Sequence, residues 1–263
     1  EWLARDVKPD VVHLSNVLLL GLAKTIREAT GASLVVTLSG EDLFISQLPE
    51  PYQHKVRELL VQRAVDVDRF IALNQQYADR MQKILGCQED RIVVIPHGID
   101  PEGFPDDPPD LIARRTSRGD RRVIGYLARA CPEKGLDQVI QSTARLVERG
   151  MNVELVAAGA TIPAEEDYLS SCHALAHELG ITDRFCWRGQ IDRSEKINLL
   201  KEIDVFAMPT PVPEAKGIPV IEAMAAGVPV VASASGAFPE LLGVHETAPA
   251  GNVHIPCDIT DLA

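Results

Sequence analysis

Short apolar runs alternate with longer stretches of helical periodicity along most of the chain. In the first hundred residues the apolar runs predict strands at 11–14, 34–38, 70–73 and 92–95. The segments between them predict helices at 17–29, 52–67 and 74–86, two of which end at a glycine, Gly31 and Gly86. The strand 34–38 is predicted to end in a polar loop, Ser39-Gly40-Glu41-Asp42. Strands that alternate with helices favour a parallel sheet with helices on both faces.

A second alternating set follows a stretch rich in proline and charged residues. Its predicted strands are 123–127, 153–158, 184–187, 205–208 and 229–232, and its predicted helices are 136–148, 166–179, 194–202 and 219–226. The sequence therefore predicts an α/β protein with two doubly wound, Rossmann-like domains, 1–105 and 121–263, joined by a linker at 106–120. Ligands of such sheets bind at the carboxyl ends of the strands, so we expect both domains to face a ligand cleft.

Composition and charge remove several classes of function. The 263 residues carry a net charge of −12 and only 5% aromatic residues, which argues against a nucleic-acid-binding protein. The five cysteines form no C-x-x-C pair, which favours a reducing compartment without disulfides or a zinc site. No export signal or membrane-spanning run is visible, so we expect a cytoplasmic protein that can associate peripherally with the inner membrane face. His173 and His177 have i, i+4 spacing but no glutamate between them, so no metal site is expected.

Two basic residues follow the predicted strand 123–127. Arg129 and Lys134 leave the carboxyl end of this strand in the loop A-R-A-C-P-E-K-G. A guanidinium fork and an ammonium group suit a diphosphate and can neutralise a phosphate leaving group. The alternative interpretation is a solvated loop with two unpaired cations.

Two glutamates follow the predicted strand 205–208, eight residues apart. Glu214 precedes a predicted helix start, where Gly217 allows backbone to approach a ligand and free amides can bind an anion. Glu222 lies one turn inside that helix, where its carboxylate can accept two hydrogen bonds from a vicinal diol. The alternative interpretation is that both are surface charges of a helix. Lys196 and Lys201 are expected on a solvated helix face, and Glu41 and Asp42 are expected either to contact an acceptor or to solvate their loop.

The order and spacing of these motifs resemble a known family. The strings W-R-G-Q-I at 187–191, I-D-V-F-A-M-P at 203–209 and E-A-M-A-A-G-V-P-V-V-A at 222–232 carry the resemblance, with the R-x4-K loop and the E-x7-E spacing. The D-V-V-H string at 10–13 and I-P-H-G-I-D at 95–100 add to it. The chain resembles the retaining glycosyltransferases of family 4, which have the GT-B fold.

The resemblance implies a hexosyltransferase that moves a sugar from a nucleotide-diphosphate sugar to an acceptor hydroxyl, with retention and without a metal or another cofactor. Glu214 would be catalytic and would contact the transferred sugar, and Glu222 would hold the ribose. The other donor-binding residues would be Arg129, Lys134, Gly189, Gln190, Ile191, Lys216, Gly217 and Ile218. The implied acceptor is a glycan, a lipid or a small molecule.

Three departures from the family pattern are visible. The R-x4-K loop begins with Ala128 in place of glycine, and Ser39 stands where the family has a histidine near the reacting sugar. The family's opening strands and its closing helix have no counterpart, so we expect a chain truncated at both ends, with an incomplete acceptor wall and doubtful activity on its own. A non-catalytic nucleotide-sugar-binding or interaction module is the alternative function, and a two-domain solute-binding protein is a third.

Overall fold

The computed structural model of the chain describes residues 1–105, 119–244 and 251–254. These residues form two compact units, Glu1–Gly98 and Ile99–Ala263, each of which is described by itself. Most of the predicted linker at 106–120 lies outside the described residues, so the predicted domain limits stay a prediction. None of the helices in the described ranges combines the length and the apolar character that a membrane crossing requires.

The first unit contains a four-stranded parallel sheet. Its strands lie in the order β1 (Val11–Leu14), β2 (Ser33–Leu38), β3 (Arg69–Ala72) and β4 (Ile92–Val94). Its helices are α1 (Ala23–Thr30), α2 (Glu41–Ser46), α3 (Tyr52–Ala64) and α4 (Gln75–Leu85). Alternate residues of β2 and β3 are fully buried, as expected for strands with one face in a core: Leu34, Val36, Leu38, Phe70 and Ala72. The four predicted strands of this region are confirmed, with ends shifted by one residue.

The predicted helix at 17–29 is wrong in its first half. Val17–Leu22 forms a 3-10 helix, and the α-helix begins only at Ala23. Val17 and Leu20 are both buried, and their three-residue spacing matches the repeat of a 3-10 helix, whose i and i+3 side chains lie on one side. The apolar pattern of this segment therefore satisfies both kinds of helix, and the tertiary contacts select one.

The second unit contains a six-stranded parallel sheet. Its strands are β5 (Arg122–Leu127), β6 (Val153–Ala158), β7 (Phe185–Trp187), β8 (Val205–Met208), β9 (Val230–Ser233) and β10 (Gly251–His254), in the order β10-β9-β8-β5-β6-β7. Its helices are α5 (Leu136–Glu148), α6 (Glu166–Glu178), α7 (Arg193–Glu202), α8 (Ile218–Ala225) and α9 (Phe238–Leu241). The sequence pattern predicted all of these except α9 and β10.

Both faces of the second sheet are covered by apolar side chains. Along β5, Val123 and Leu127 pack into one core cluster with residues of α7 and α8. Ile124 and Tyr126 pack into the opposite cluster with residues of α5 and α6. Successive side chains of a strand point to opposite faces, so this division confirms a doubly wound unit.

The strand order changes direction between β5 and β8. Strands β6 and β7 continue on one side of β5, whereas β8, β9 and β10 lie on the other side. The Asp204 carboxylate, just before β8, accepts a hydrogen bond from the Val123 amide at 2.8 Å, and the Asp204 amide donates to the Val123 carbonyl. The loops that leave the carboxyl ends of β5 and β8 are therefore neighbours, at the place where doubly wound sheets bind ligands.

The start of α4 offers a test of the first unit. The buried Asn74 side chain accepts a hydrogen bond from the Tyr77 amide at 2.8 Å, which is the geometry of an N-cap. We expect Asn74→Ala to lower the free energy of unfolding by about 1 kcal/mol, whereas Asn74→Ser should retain most of it. Urea denaturation measures both, and equal losses in the two variants would contradict the capping role.

Candidate functional site

The loops after β5 and β8 touch each other through a glycine. Gly135 has a φ of +72°, and a Cβ atom at this position would lie 2.3 Å from the Pro209 carbonyl oxygen. Only glycine fits here, because a side chain would both strain the backbone and push the two loops apart. The close approach places Lys134, the preceding residue, beside the loop that carries Glu214.

Lys134 and Glu214 form an ion pair at this junction. The Lys134 Nζ atom lies 2.5 Å from Glu214 Oε2, and the Lys216 amide donates to Glu214 Oε1 at 3.1 Å. The side chains of Lys134 and Glu214 are 27% and 14% exposed. Burial by itself raises the pKa of the Glu214 carboxyl, but the Lys134 ammonium and the amides of Lys216 and Gly217 outweigh it, so that this pKa is lowered. The sequence predicted an anion site at the amides around Gly217 and Ile218; in the structure the amides of Lys216 and Gly217 hold the Glu214 carboxylate.

The backbone of Glu214 is also fixed. The Ala237 amide donates to the Glu214 carbonyl at 2.7 Å. A Cβ atom on Gly236, whose φ is +66°, would lie 2.4 Å from the Glu214 nitrogen and 2.3 Å from its carbonyl oxygen. The segment after β9 therefore packs directly against the Glu214 backbone and holds the carboxylate against Lys134.

A pocket of about 300 Å³ lies beside this ion pair, at the carboxyl ends of β5 and β6. Its lining combines apolar side chains with a few charged ones, which is typical of ligand pockets. The lining residues are Leu127, Ala128, Arg129, Ala158, Gly159, Ala160, Gln190, Ile191, Lys196, Ile218, Pro219 and Glu222. We call this the switch-point pocket.

Arg129 lines the switch-point pocket and forms an ion pair with Glu165. Its Nε atom lies 2.9 Å from Glu165 Oε1, and its Nη2 atom lies 3.7 Å from the Cys131 thiol. The Arg129 side chain is about half exposed, whereas that of Glu165 is largely buried. Arg129 and Lys134 are thus both paired with carboxylates, and the interpretation of a loop with two unpaired cations is wrong.

Glu222 is buried in the switch-point pocket and is paired with Lys196. The Glu222 residue is 5% exposed, and the Lys196 ammonium on α7 donates to its Oε1 atom. The expected solvated position is therefore wrong for Lys196, whereas Lys201 on the same helix is exposed as expected. The interpretation of Glu214 and Glu222 as surface helix charges is wrong as well.

The remaining predicted site residues lie around these two clusters. Gln190 and Ile191 line the switch-point pocket beside Ile218. The Gly189 carbonyl accepts a hydrogen bond from the Gly159 amide at 2.9 Å, which joins the end of β6 to the segment after β7. The structure therefore brings Arg129, Gln190, Ile191, Ile218 and Glu222 together in the pocket. Lys134, Glu214, Lys216 and Gly217 form the adjacent cluster.

The loop after β2 in the first unit is a buried network. Glu41 begins α2, is only 4% exposed, and accepts hydrogen bonds from the Val17 amide at 3.2 Å and the Ser39 amide at 2.7 Å. It also accepts from the Ser39 hydroxyl and from the Tyr77 hydroxyl, both at 3.1 Å. Burial, followed by the nearby carboxylates, raises the pKa of Tyr77 far above its usual range, so this hydroxyl stays a donor. The alternative in which Glu41 is a solvated charge of its loop is therefore wrong.

Asp42, the next acidic residue, is also engaged. Its Oδ2 atom lies 2.6 Å from Arg80 Nε on α4, and its side chain is largely buried. Neither acid of the loop is a freely solvated charge. Across the described parts of both units, no group of three or more His, Cys, Asp or Glu side chains is placed to hold a metal ion.

The sheet order and the paired loops are those of a doubly wound unit with a ligand site at its change in strand order, and comparison with known proteins gives the family. Residues 109–263 match the family Glycosyl transferases group 1, and residues 1–102 match Glycosyltransferase Family 4. The chain belongs to the group 1 glycosyl transferases.

Two curated relatives illustrate the sequence similarity. The chain is 32% identical over 244 residues to the D-inositol 3-phosphate glycosyltransferase of Stackebrandtia nassauensis, an alignment that covers 89% of this chain and 50% of the relative. It is 28% identical over 229 residues to the GDP-mannose-dependent monoacylated alpha-(1-6)-phosphatidylinositol monomannoside mannosyltransferase of Corynebacterium glutamicum, covering 83% and 57%. The chain thus spans about half the length of the curated relatives it matches.

Solved structures show the same fold. Anabaena HepE in complex with UDP matches with a TM-score of 0.79 at 24% identity, covering 96% of this chain and 66% of that one. The sucrose-phosphate synthase of Thermosynechococcus elongatus matches with a TM-score of 0.80 at 20% identity, covering 99% and 64%. These neighbours confirm the α/β GT-B fold with two parallel-sheet domains.

The lowered pKa of Glu214 makes a testable statement about pH. The ionised carboxylate stabilises the fold above its ordinary pKa of 4.5, and this contribution is lost as the pH falls through the lowered folded-state value. In Lys134→Met the buried carboxylate has no ammonium partner, so its folded-state pKa rises instead. We expect this variant to be destabilised by about 1–3 kcal/mol near neutral pH.

The difference between Lys134→Met and the unmodified chain should shrink as the pH falls from about 7 to about 4, because the Glu214 carboxyl of the variant takes up a proton in this range, whereas the lowered pKa keeps that of the unmodified chain ionised. Urea denaturation at both pH values measures it. Lys201→Met, on an exposed side chain, is the control and should show no such trend. A constant difference across this range would contradict the assigned coupling.

Proposed function

We propose that this chain is part of an enzyme that transfers a hexosyl group from a nucleotide-diphosphate sugar to an acceptor hydroxyl, with retention of anomeric configuration and without a metal. One observation carries the proposal. The loops after β5 and β8 meet at the change in strand order and pair Lys134 with Glu214 beside a pocket lined by Arg129 and Glu222. Cations for a diphosphate and carboxylates for sugar hydroxyls thus lie at one edge of one sheet.

The switch-point pocket has the lining expected for a nucleoside. Gln190 and Ile191 offer an amide and an apolar surface to a base, and the buried Glu222 carboxylate can accept hydrogen bonds from both ribose hydroxyls. Arg129 lines the same pocket with a half-exposed guanidinium. The fork of its donors suits the diphosphate that follows the ribose. UDP is held by the HepE neighbour, which supports this class of ligand.

The Lys134–Glu214 pair marks the place of the bond that breaks. The ammonium has three donors, so it can keep Glu214 and still donate to a diphosphate oxygen. If Lys134 holds the diphosphate and Glu214 holds the sugar, the bond between the sugar and the diphosphate lies next to this ion pair. The bond between the anomeric carbon and the diphosphate oxygen breaks with its electron pair on the oxygen, where Lys134 and Arg129 stabilise the charge.

The acceptor hydroxyl attacks on the face from which the diphosphate leaves. Its oxygen forms the new bond to the anomeric carbon, and its proton passes to the departing diphosphate oxygen. The products are a glycoside of unchanged configuration and a nucleoside diphosphate. Positive charge grows on the sugar ring in the transition state, where the Glu214 carboxylate stabilises it more strongly than in the ground state. Positioning and the two cations supply the rest.

The names of the relatives indicate two acceptor classes for this proposal. One relative is named for an inositol phosphate and another for a phosphatidylinositol mannoside, which support a small polyol or a lipid. A glycan is the third acceptor class that we retain. The proposed location is the cytoplasm, at the inner membrane face where the acceptor is a lipid. The match to glycosyltransferases does not favour the alternative of a non-catalytic binding module.

Nucleotide binding tests the role of Lys134. We expect Lys134→Met to weaken the binding of a nucleoside diphosphate at least about tenfold, which corresponds to about 1.4 kcal/mol. Calorimetry with UDP, GDP and ADP identifies the base and measures the effect. The matching nucleoside without phosphates is the control ligand, and its affinity should be the same in both proteins. An unchanged diphosphate affinity would remove Lys134 from the donor site.

The two glutamates should separate in steady-state kinetics. Glu214→Gln should lower kcat more than it raises KM, because Glu214 acts on charge that grows in the transition state. Glu222→Gln should act mainly on KM, because the ribose is remote from the breaking bond. Release of nucleoside diphosphate from the sugar donor measures both, and the anomeric configuration of the product tests retention. Equal losses of kcat in the two variants would refute this division of roles.

A further inference from the structure

Glu222 is a carboxylate in a place where a charge is expensive. It lies in α8 and is almost completely buried, whereas a buried charge is tolerated only when a partner compensates it. Its partner is the Lys196 ammonium, which donates to Oε1. Without that ammonium the buried carboxylate would lose the side-chain partner that fixes its orientation.

Lys196 is held in place by its own helix. The start of α7 is fixed by a capping box, in which the Asp192 carboxylate accepts from the Glu195 amide at 2.8 Å and Glu195 accepts from the Asp192 amide at 2.9 Å. Ile197, one residue later, is buried. The Lys196 side chain is 27% exposed, and it lines the switch-point pocket together with Glu222. It is therefore not a mobile surface lysine.

The pairing leaves room for a diol. An ionised carboxylate has about four acceptor positions on its two oxygens, and Lys196 uses one of them on Oε1. The orientation of the Glu222 carboxylate thus decides how strongly this pocket can select a ribose.

We propose that Lys196 is a positioning residue that makes the switch-point pocket selective for ribonucleotides, because its hydrogen bond to Oε1 holds the Glu222 carboxylate in place for the ribose hydroxyls. This inference rests on the proposed function, which assigns the pocket to the nucleoside of the donor. Lys196 acts through Glu222 and does not itself contact the reacting atoms. A purely structural role would affect all ligands of the pocket alike, whereas this role affects a ligand with both ribose hydroxyls more than one that lacks the 2′-hydroxyl.

The test compares each of UDP, GDP and ADP with its 2′-deoxy counterpart by calorimetry on the 263-residue chain. The unmodified chain should prefer the ribonucleotide at least about tenfold, in line with a hydrogen bond to a charged group. Lys196→Met should reduce that preference to about threefold or less, mainly through weaker ribonucleotide binding. Lys196→Arg retains the charge and should retain most of the preference. Lys201→Met, on the exposed part of the same helix, should leave it unchanged.

A double-mutant cycle gives a second reading. Glu222→Gln removes the carboxylate, so adding Lys196→Met to it should produce no further loss of ribose preference. The double variant also allows the test if Lys196→Met alone does not fold, because the neutral amide of Glu222→Gln needs no positively charged partner. The inference is overturned if Lys196→Met retains the full ribose preference. It is also overturned if Lys196→Met lowers the ribose preference of Glu222→Gln further. Failure of the unmodified chain to bind any of the three nucleotides overturns the proposed function instead, and this inference with it.

Discussion

The pairing of β5 with β8 is the contact on which the candidate site depends. Two residue pairs join these strands, Ile124 with Val205 and Gly125 with Phe206. The Asp204 carboxylate extends the pairing by accepting from the Val123 amide. Gly125 contributes through its size, because a Cβ atom there would lie 2.3 Å from the side chain of Ile203, which is fully buried. This short junction sets the spacing of the two loops that carry the charged residues.

The charged residues beyond that junction hold each other in place. Glu214 and Glu222 are both largely buried. Glu214 is compensated by Lys134 from the loop after β5, and Glu222 is compensated by Lys196 from α7. Removal of either partner leaves a charge without compensation, which destabilises a protein more than loss of the pair as a whole. The arrangement therefore links the stability of this edge to its ability to present carboxylates to a ligand.

Much of the fold and of the site could be predicted from the sequence. The apolar runs predicted nearly every strand, because buried parallel strands need continuous hydrophobic segments. The loops that the structure places together were predicted from the charged residues that follow two of these strands: Arg129, Lys134, Glu214 and Glu222. Lys196 was missed because its partner is 26 residues away in the chain, and no local pattern distinguishes it from the exposed Lys201. Helical periodicity identifies the face of the helix on which a residue lies, but not the residue that it contacts.

The network around Glu41 was missed for a related reason. A serine, a glycine and two acids in sequence are typical of a solvated turn, and only the tertiary structure brings the Val17 amide and the Tyr77 hydroxyl to the carboxylate. The 3-10 helix at Val17–Leu22 was missed because buried residues three apart also fit an α-helix. Helix α9 and strand β10 are short, and Pro239 at the start of α9 interrupts the helical pattern.

The pairing of Arg129 with Glu165 has a consequence for how fast an anion can arrive. Arg129, Lys134 and Lys196 each already have a carboxylate partner, so their fields largely cancel beyond a few ångströms. Under the proposed function, an approaching diphosphate meets a chain of net charge −12, and these three paired cations add little long-range attraction. Added salt screens that repulsion, so association should become faster as ionic strength rises, the reverse of the behaviour of an open basic phosphate site. Under the proposed function, a diphosphate that binds the Arg129 guanidinium has to compete for it with the Glu165 carboxylate.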